Sequence, residues 1–365
     1  MFVLKYFSSC ILFCLLLSLF GCSSNESSVT IEEQMRDDET LQTEESIRNF
    51  TKIVEKNKIT HVGRGAHAKG HSCIKAYFQV RKDIETKYQH GIFSVPDKVY
   101  KSWIRFSNAN SSYAKSHDAN KDAHGMAIKL IGVEDKALTT ALASGQSTQD
   151  FLMADNPEFF SPSIDEYNRF LSSKSYVNFF FEGINPFHWR IREFFIALET
   201  LKKPPSSPLW PQYYSNTAYK LGPHNIKFSA KSCKIGEAKY SPDENDPDFM
   251  RKNLVKELYN GEGCFDFMVQ LQVPDKNMSI EDPSIEWKES DSPFVTLADI
   301  TIPAQGFDSP EQMQFCENLS FSPWHALAEH RPIGQFNRIR KAVYKASSDY
   351  RHTQNKTDIP QSLEW

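Results

Sequence analysis

The feature that most limits this chain is a series of short segments with an apolar period of two and no regular alternation with helices. In Cys73–Lys82, Ile74, Ala76, Phe78 and Val80 alternate with Lys75, Tyr77 and Gln79. Ser102–Ser107 splits into two faces, with Trp103, Arg105 and Ser107 on one and Ile104 and Phe106 on the other. Phe265–Val273 lines Phe265, Phe267, Val269, Leu271 and Val273 along one side. His124–Val133, Asn225–Ala230 and Phe294–Ile302 repeat the habit, and Asn216–Leu221 is a weaker case. Parallel strands need a crossover between them, usually a helix. About eight strands without such alternation predict an α+β protein built on an antiparallel β-barrel with helices around it, not a doubly wound sheet.

Helical periodicity marks Ser46–Lys56, Ser163–Ser172 and Asp248–Asn260, the last stopped by Gly261. Asn185-Pro186 is a cap followed by proline at the first helical position, and it opens Phe187–Lys203 with the stripe Ile191, Phe194, Phe195, Leu198 and Leu201. The longest pattern is His330–His352, where Phe336, Ile339, Val343, Ala346 and Tyr350 form one apolar stripe. Beside it run Arg340, Tyr344 and Arg351. Arg340 and Tyr344 stand at i and i+4 and share a face. A guanidinium next to a phenol favours the phenolate. A core tyrosine flanked by solvated arginines is the other reading of this helix alone.

The 365 residues suffice for one large domain or two ordinary ones. With 42 basic and 46 acidic residues, no basic surplus points to nucleic acid. No nucleotide-binding glycine motif appears. The 27 phenylalanines suit a wide apolar interior, around a flat cofactor or in a large β core. At the start, Lys5 precedes the apolar run Cys10–Phe20, which is too short for a stable span. Leu19-Phe20-Gly21-Cys22 resembles a bacterial lipoprotein cleavage box, with Cys22 as the lipidated residue. This predicts a signal peptide over 1–21, a flexible polar tether over 22–45 and a folded domain over 46–365. It also predicts an exported lipoprotein, held at a membrane and facing the periplasm or the exterior; an ordinary cleaved signal is the alternative. Cys73, Cys233, Cys264 and Cys316 remain. Their spacing is no metal motif. Export permits a Cys233–Cys264 disulfide, and four separate buried thiols fit equally.

His61–Gly70 reads HVGRGAHAKG, with Arg64 and His67 between glycines that let backbone come close to a ligand. Alone this pair is a weak signal. Together with the strand SWIRFS and the helix segment RKAVY, it resembles the haem catalase superfamily. The segments DANKDAHGMAIKL, DFLMADNPEFF and AYKLGPHNIKF follow in that family's order, and the likeness runs from about Ile59 to His352. The run CENLSFSPWHALAEHRPIGQFNRIRKAVY looks most like the smaller, catalase-related peroxidase-like branch. Only Lys345–Trp365 follow Tyr344, so the helical domain of full catalases is not expected here.

The resemblance implies haem of type b, with Tyr344 as axial iron ligand and Arg340 holding it as phenolate. Arg64, Arg105 and Arg351 would pair with the propionates. His67 would take a proton from the near peroxide oxygen and return it to the far one, with Ser107 fixing its ring. Asp155 stands where the family places a distal asparagine, and Asn156 is adjacent. An ionised aspartate only accepts hydrogen bonds, so Asp155 is expected to lower peroxide turnover while leaving haem binding intact. The implied activity is haem-dependent consumption of hydrogen peroxide or organic hydroperoxides with a small-molecule reductant. The alternatives are a membrane-tethered haem-binding protein with little turnover and a fatty-acid hydroperoxide-converting enzyme of the allene-oxide type. His71 and His124 read as strand-end surface groups, His330 as a backbone partner, and Trp324 and Met153 as packing residues.

Overall fold

In the computed structural model, residues 32–365 are described except 59, 60, 140–144, 174, 235, 237 and 361. The signal segment and Cys22 lie outside the described residues. The strands are β1 (Ile74–Val80), β2 (Val99–Asn108), β3 (His124–Leu130), β4 (Gln149–Ala154), β5 (Tyr213–Tyr214), β6 (Tyr219–Leu221), β7 (His224–Ser232), β8 (Gly263–Leu271) and β9 (Val295–Ile302). All pair antiparallel, in the order β5-β4-β3-β2-β1-β9-β8-β7-β6. A second pairing of β5, with β7, closes eight of them into a barrel, and β6 hangs on β7. Closure removes free sheet edges.

Period two does the sorting the sequence predicts. Ile74, Ala76, Phe78 and Val80 face the barrel interior with Ile104, Phe106, Phe265, Phe267 and Val269. Trp103, on the opposite face of β2, joins Cys73, Cys316 and Leu363 outside the barrel. Inside, Phe267 contacts Phe78, Phe93, Phe151 and Phe228 at centroid distances of 4.6–6.0 Å. Edge-to-face and offset contacts of this kind add to the burial of the rings. Met153 belongs to this core, as expected of a packing methionine.

Two strands escape period-two reading. β4 is short, and β5 has only two residues. The register of β4 is set by its neighbour, with Met126 opposite Met153. A bulge between Phe267 and Met268 shifts the β8–β9 register.

The helices lie outside: α1 (Glu39–Lys56), α2 (Ile164–Ser172), α3 (Tyr176–Phe180), α4 (Ile191–Thr200), α5 (Phe249–Asn260), α6 (Pro310–Asn318) and α7 (Gln335–Asn355). Among the described residues, no helix is long and apolar enough to cross a membrane. Helix α7 starts later than its periodicity suggests. Pro332 cannot donate to a helix, and Gly334 sits at φ 86°, where a Cβ would strike the Ile280 carbonyl. His330 precedes it in a short 3-10 turn and accepts the Ile92 N–H at 2.9 Å, the backbone role expected of it. Trp324 is half-buried; its Nε1 donates to the Asn337 carbonyl at 2.6 Å.

The expected tether 22–45 is corrected in its second half. Helix α1 begins at Glu39, and Glu33 and Glu39 are held by ion pairs. Arg338 meets Glu39 at 2.8 Å, Glu33 at 3.0 Å and Glu281 at 3.0 Å. A polar, acidic segment suggests freedom when read alone, but these charges have partners far along the chain. The apolar face of α1, through Ile47, Phe50 and Val54, packs on the stripe Val343, Ala346 and Tyr350 of α7. At the end of α7, the Asn355 side chain accepts from the Val62 N–H and donates to the Val62 carbonyl, both at 2.8 Å. A disulfide joins Cys233, just past β7, to Cys264 in β8. Cys73 and Cys316 are buried free thiols.

Candidate active site

His67 sits on the segment between α1 and β1 at φ 55°, a conformation uncommon for residues other than glycine. Three bonds hold it there. Its N–H donates to the Ala109 carbonyl at 3.0 Å, the next N–H, of Ala68, donates to Asn110 at 3.1 Å, and Arg105 Nη2 donates to the His67 carbonyl at 2.8 Å. Its Nδ1 lies 3.0 Å from Ser107 Oγ, on the outward face of β2. Beneath the ring is Gly125 of β3, where a Cβ would come within 2.6 Å of Nδ1 and 3.0 Å of Ser107 Oγ. Glycine is therefore required for the ring to approach the strand this closely. Burial, then the charges of Arg105 and Arg340, push the imidazole pKa down to about 4, while Asp155 pulls the other way.

Asp155 and Asn156 follow β4, and neither side chain presents a free amide to His67. Asp155 is buried and accepts the His124 N–H at 2.8 Å with one oxygen; the other lies 2.8 Å from His124 Nδ1. Asn156 Nδ2 donates to the Glu158 carbonyl at 2.9 Å within its own loop. His124 is corrected from a surface group to a buried one, because β3 turns it into the end of the barrel beside Asp155. Its Nε2 has no hydrogen-bond partner among the described residues. His71 is likewise fully buried, with Nε2 2.6 Å from Asn108 Oδ1.

On α7, Arg340 Nη2 donates to the Tyr344 hydroxyl at 2.9 Å, with the guanidinium 5.1 Å from the ring centroid. Its Nη1 donates to Asn337 Oδ1 at 3.1 Å and Thr217 Oγ1 at 3.4 Å. Burial opposes the charge of Arg340, but Tyr344 and Tyr219 beside it outweigh that and hold it ionised. Asn337 and Thr217 were not expected. Asn337 precedes Arg340 by one turn, so helical spacing contained that signal; Thr217 reaches it only through the fold.

Arg64, Arg105 and Arg351 converge. Arg64 donates to the Leu319 carbonyl at 2.7 Å and to Glu317 Oε2 at 2.7 Å. Arg351 donates to the Glu317 carbonyl and, at 3.5 Å, to the Leu319 carbonyl. Gly70 makes room for Arg105, since a Cβ there would lie 3.0 Å from its Nη2. Burial, then Arg64 nearby, lowers the Arg105 pKa to about 10 and that of Arg351 to about 9. Glu317 is held below its usual range: burial raises it, but Arg64, Arg105 and Arg351 win. No sequence pattern singled out Glu317. Among the described residues it is the one carboxylate ion-paired with Arg64 and Arg351, and none pairs with Arg105, so the group is short of negative charge.

The family model for catalase matches residues 21–136, which include Arg64, His67, Arg105, Ser107 and His124. No individual curated protein matches the sequence. Among solved structures, a fungal catalase aligns with TM-score 0.64 and 19% identity over 84% of this chain and 62% of its own. Catalase A from Saccharomyces cerevisiae aligns with TM-score 0.64 and 17% identity over 85% and 65%. A bacterial catalase aligns with TM-score 0.61 and 16% identity over 93% and 66%.

The chain has the catalase fold.

It spans just under two thirds of the length of those catalases. Within the catalase fold, the two ends of the chain come together. Arg64 and His67 come before β1, and Arg340, Tyr344 and Arg351 come from the last helix. Arg64 and Arg351 meet at the same two carbonyls, and the charge of Arg340 is felt at His67.

Proposed function

We propose that the protein is a haem-dependent, peroxide-consuming oxidoreductase. The observation that carries this is the charge imbalance at Arg64, Arg105 and Arg351. Three guanidiniums face one carboxylate, Glu317, and two propionates would supply the missing negative charge. The residues therefore fit haem. Tyr344 would hold the iron, and Arg340, donating to the phenol oxygen, stabilises negative charge there. Haem iron, when bound, supplies the two-electron chemistry that peroxide cleavage requires. The chain's own contribution is proton handling. His67, neutral above about pH 4, is able to accept the peroxide proton, and Ser107 fixes its ring.

Hydrogen peroxide or organic hydroperoxides would serve as substrate, with a small-molecule reductant completing turnover. Asp155 supports a second reading, a membrane-tethered haem protein with little turnover, because its carboxylate is committed to His124 and offers no donor to an oxygen anion. No local feature selects the allene-oxide type of hydroperoxide conversion. We place the protein as an exported lipoprotein anchored through Cys22.

The test is an absorption spectrum of the haem-loaded protein before and after peroxide. A high-spin ferric tyrosinate spectrum, lost in Tyr344→Phe, is expected. Oxygen release would mark a catalase; a lasting oxidised species discharged by a phenol would mark a peroxidase. Failure to bind haem at all would overturn the reading.

A further inference from the structure

The stripe that periodicity assigns to the inner face of α4 is only partly covered. Ile196 is buried, but Ile191, Phe195, Leu198 and Leu201 are exposed and recur at helical spacing along one outer face. Before this helix, the loop tip carries Ile184 at 98% and Phe187 at 94% exposure. Nine of the seventeen large exposed apolar side chains among the described residues fall within 176–201. Scattered exposed apolar residues are ordinary, but a contiguous patch marks an interaction surface. The backbone here is not loose. Asn185 Oδ1 accepts the Phe187 N–H at 3.1 Å, and Trp189 Nε1 donates to the Gly183 carbonyl at 3.3 Å. The tip is thus built to present these rings outward.

Where the chain enters the fold identifies the occupant. Arg36 pairs with Asp165 at 2.7 Å, and the next residue, Glu166, pairs with Arg190 at 2.5 Å, immediately before α4. The lead from the N-terminus therefore joins the body beside the apolar patch. The stretch from Cys22 to Arg36 reaches at most about 50 Å when extended, so an anchor on Cys22 keeps this side of the molecule within reach of the membrane surface. We propose that the tip Ile184–Phe187 and the outer face of α4 enter the interfacial layer of that same lipid bilayer. The proposal rests on the reading of Cys22 as a lipid anchor. Apolar side chains on a short amphipathic helix, with a tryptophan alongside, suit the boundary between headgroups and acyl chains. One acyl attachment tethers a protein without orienting it; a second contact fixes which face meets the lipid.

The test uses the mature protein lipidated at Cys22 on phosphatidylglycerol–phosphatidylethanolamine vesicles. An environment-sensitive fluorophore is attached in Phe187→Cys and, separately, in Tyr259→Cys, an exposed position outside the patch. The expected result is blue-shifted emission at 187, with most of it lost to quenchers carried on the lipid chains, and no such change at 259. An Ile184→Asp change in the Phe187→Cys protein should abolish the shift while the protein still floats with the vesicles. Flotation with no quenching at 187 would overturn the proposal and leave the anchor intact. Loss of flotation in every form would overturn both. A shift at 187 without lipid quenching, but with cross-links between copies, would assign the patch to a second copy and overturn the lipid contact. The same shift without cross-links would mean that the patch is covered by protein of its own chain, and would overturn the lipid contact likewise.

Discussion

A single imidazole carries most of the proposed chemistry, and its surroundings set the pH at which it works. Burial and two arginines press the pKa of His67 down to about 4. A depressed value means the neutral, proton-accepting form persists down to that pH and is lost below it. We expect kcat/KM for peroxide to be flat through neutrality and to fall by half near pH 4; a midpoint near the ordinary histidine value of about 6.5 would contradict the burial described here. Asp155 opposes that depression, so Asp155→Asn should move the acid limb to still lower pH. Asparagine can keep the acceptor for the His124 N–H, so the fold should stand. Peroxide turnover should rise, with haem content unchanged; unchanged turnover would remove Asp155 as the limiting group. The sequence placed His67, Ser107 and the three arginines by spacing and resemblance. It could not place Glu317 or Gly125, because their roles are to be near something distant in the chain, and nothing local records that.

Each helix here is defined by what it is fastened to. Helix α7 carries Arg340 and Tyr344, and α1 covers its apolar stripe. Arg338 binds the two together by meeting Glu33, Glu39 and Glu281 at once. Removing a largely buried charge leaves its partners unpaired, which costs more than the pair contributes. Arg338→Ala should lower stability by about 2–3 kcal/mol in urea denaturation, with α1 the first element to lose amide protection. A cost within experimental error would show that the cluster is solvated. The period-two segments were legible because every one buries a face in the barrel. The end of the tether was not. Its acidic composition describes an isolated segment well, and only the arginines of α7 turn it into structure. Helix α4 fails in the opposite sense: its stripe is real, but periodicity says nothing about which apolar face finds cover.

For the molecule as a whole, closure governs. The ring of eight strands shuts through β5, and the disulfide Cys233–Cys264 staples β7 to β8 on that side. Reduction should lower the unfolding free energy by about 2–4 kcal/mol, read as a shift of the urea midpoint with and without reductant; no shift would mean the strand pairing alone suffices. The clasp between Val62 and Asn355 has a different consequence. A chain delivered N-terminus first has every barrel strand in hand before the last helix arrives, and only then does the buckle have its second half. The meeting of the two ends is thus a certificate of completeness. A chain cut short ahead of α7 would lack Arg340, Tyr344 and Arg351, so retention of the proposed haem should report that the last helix has arrived.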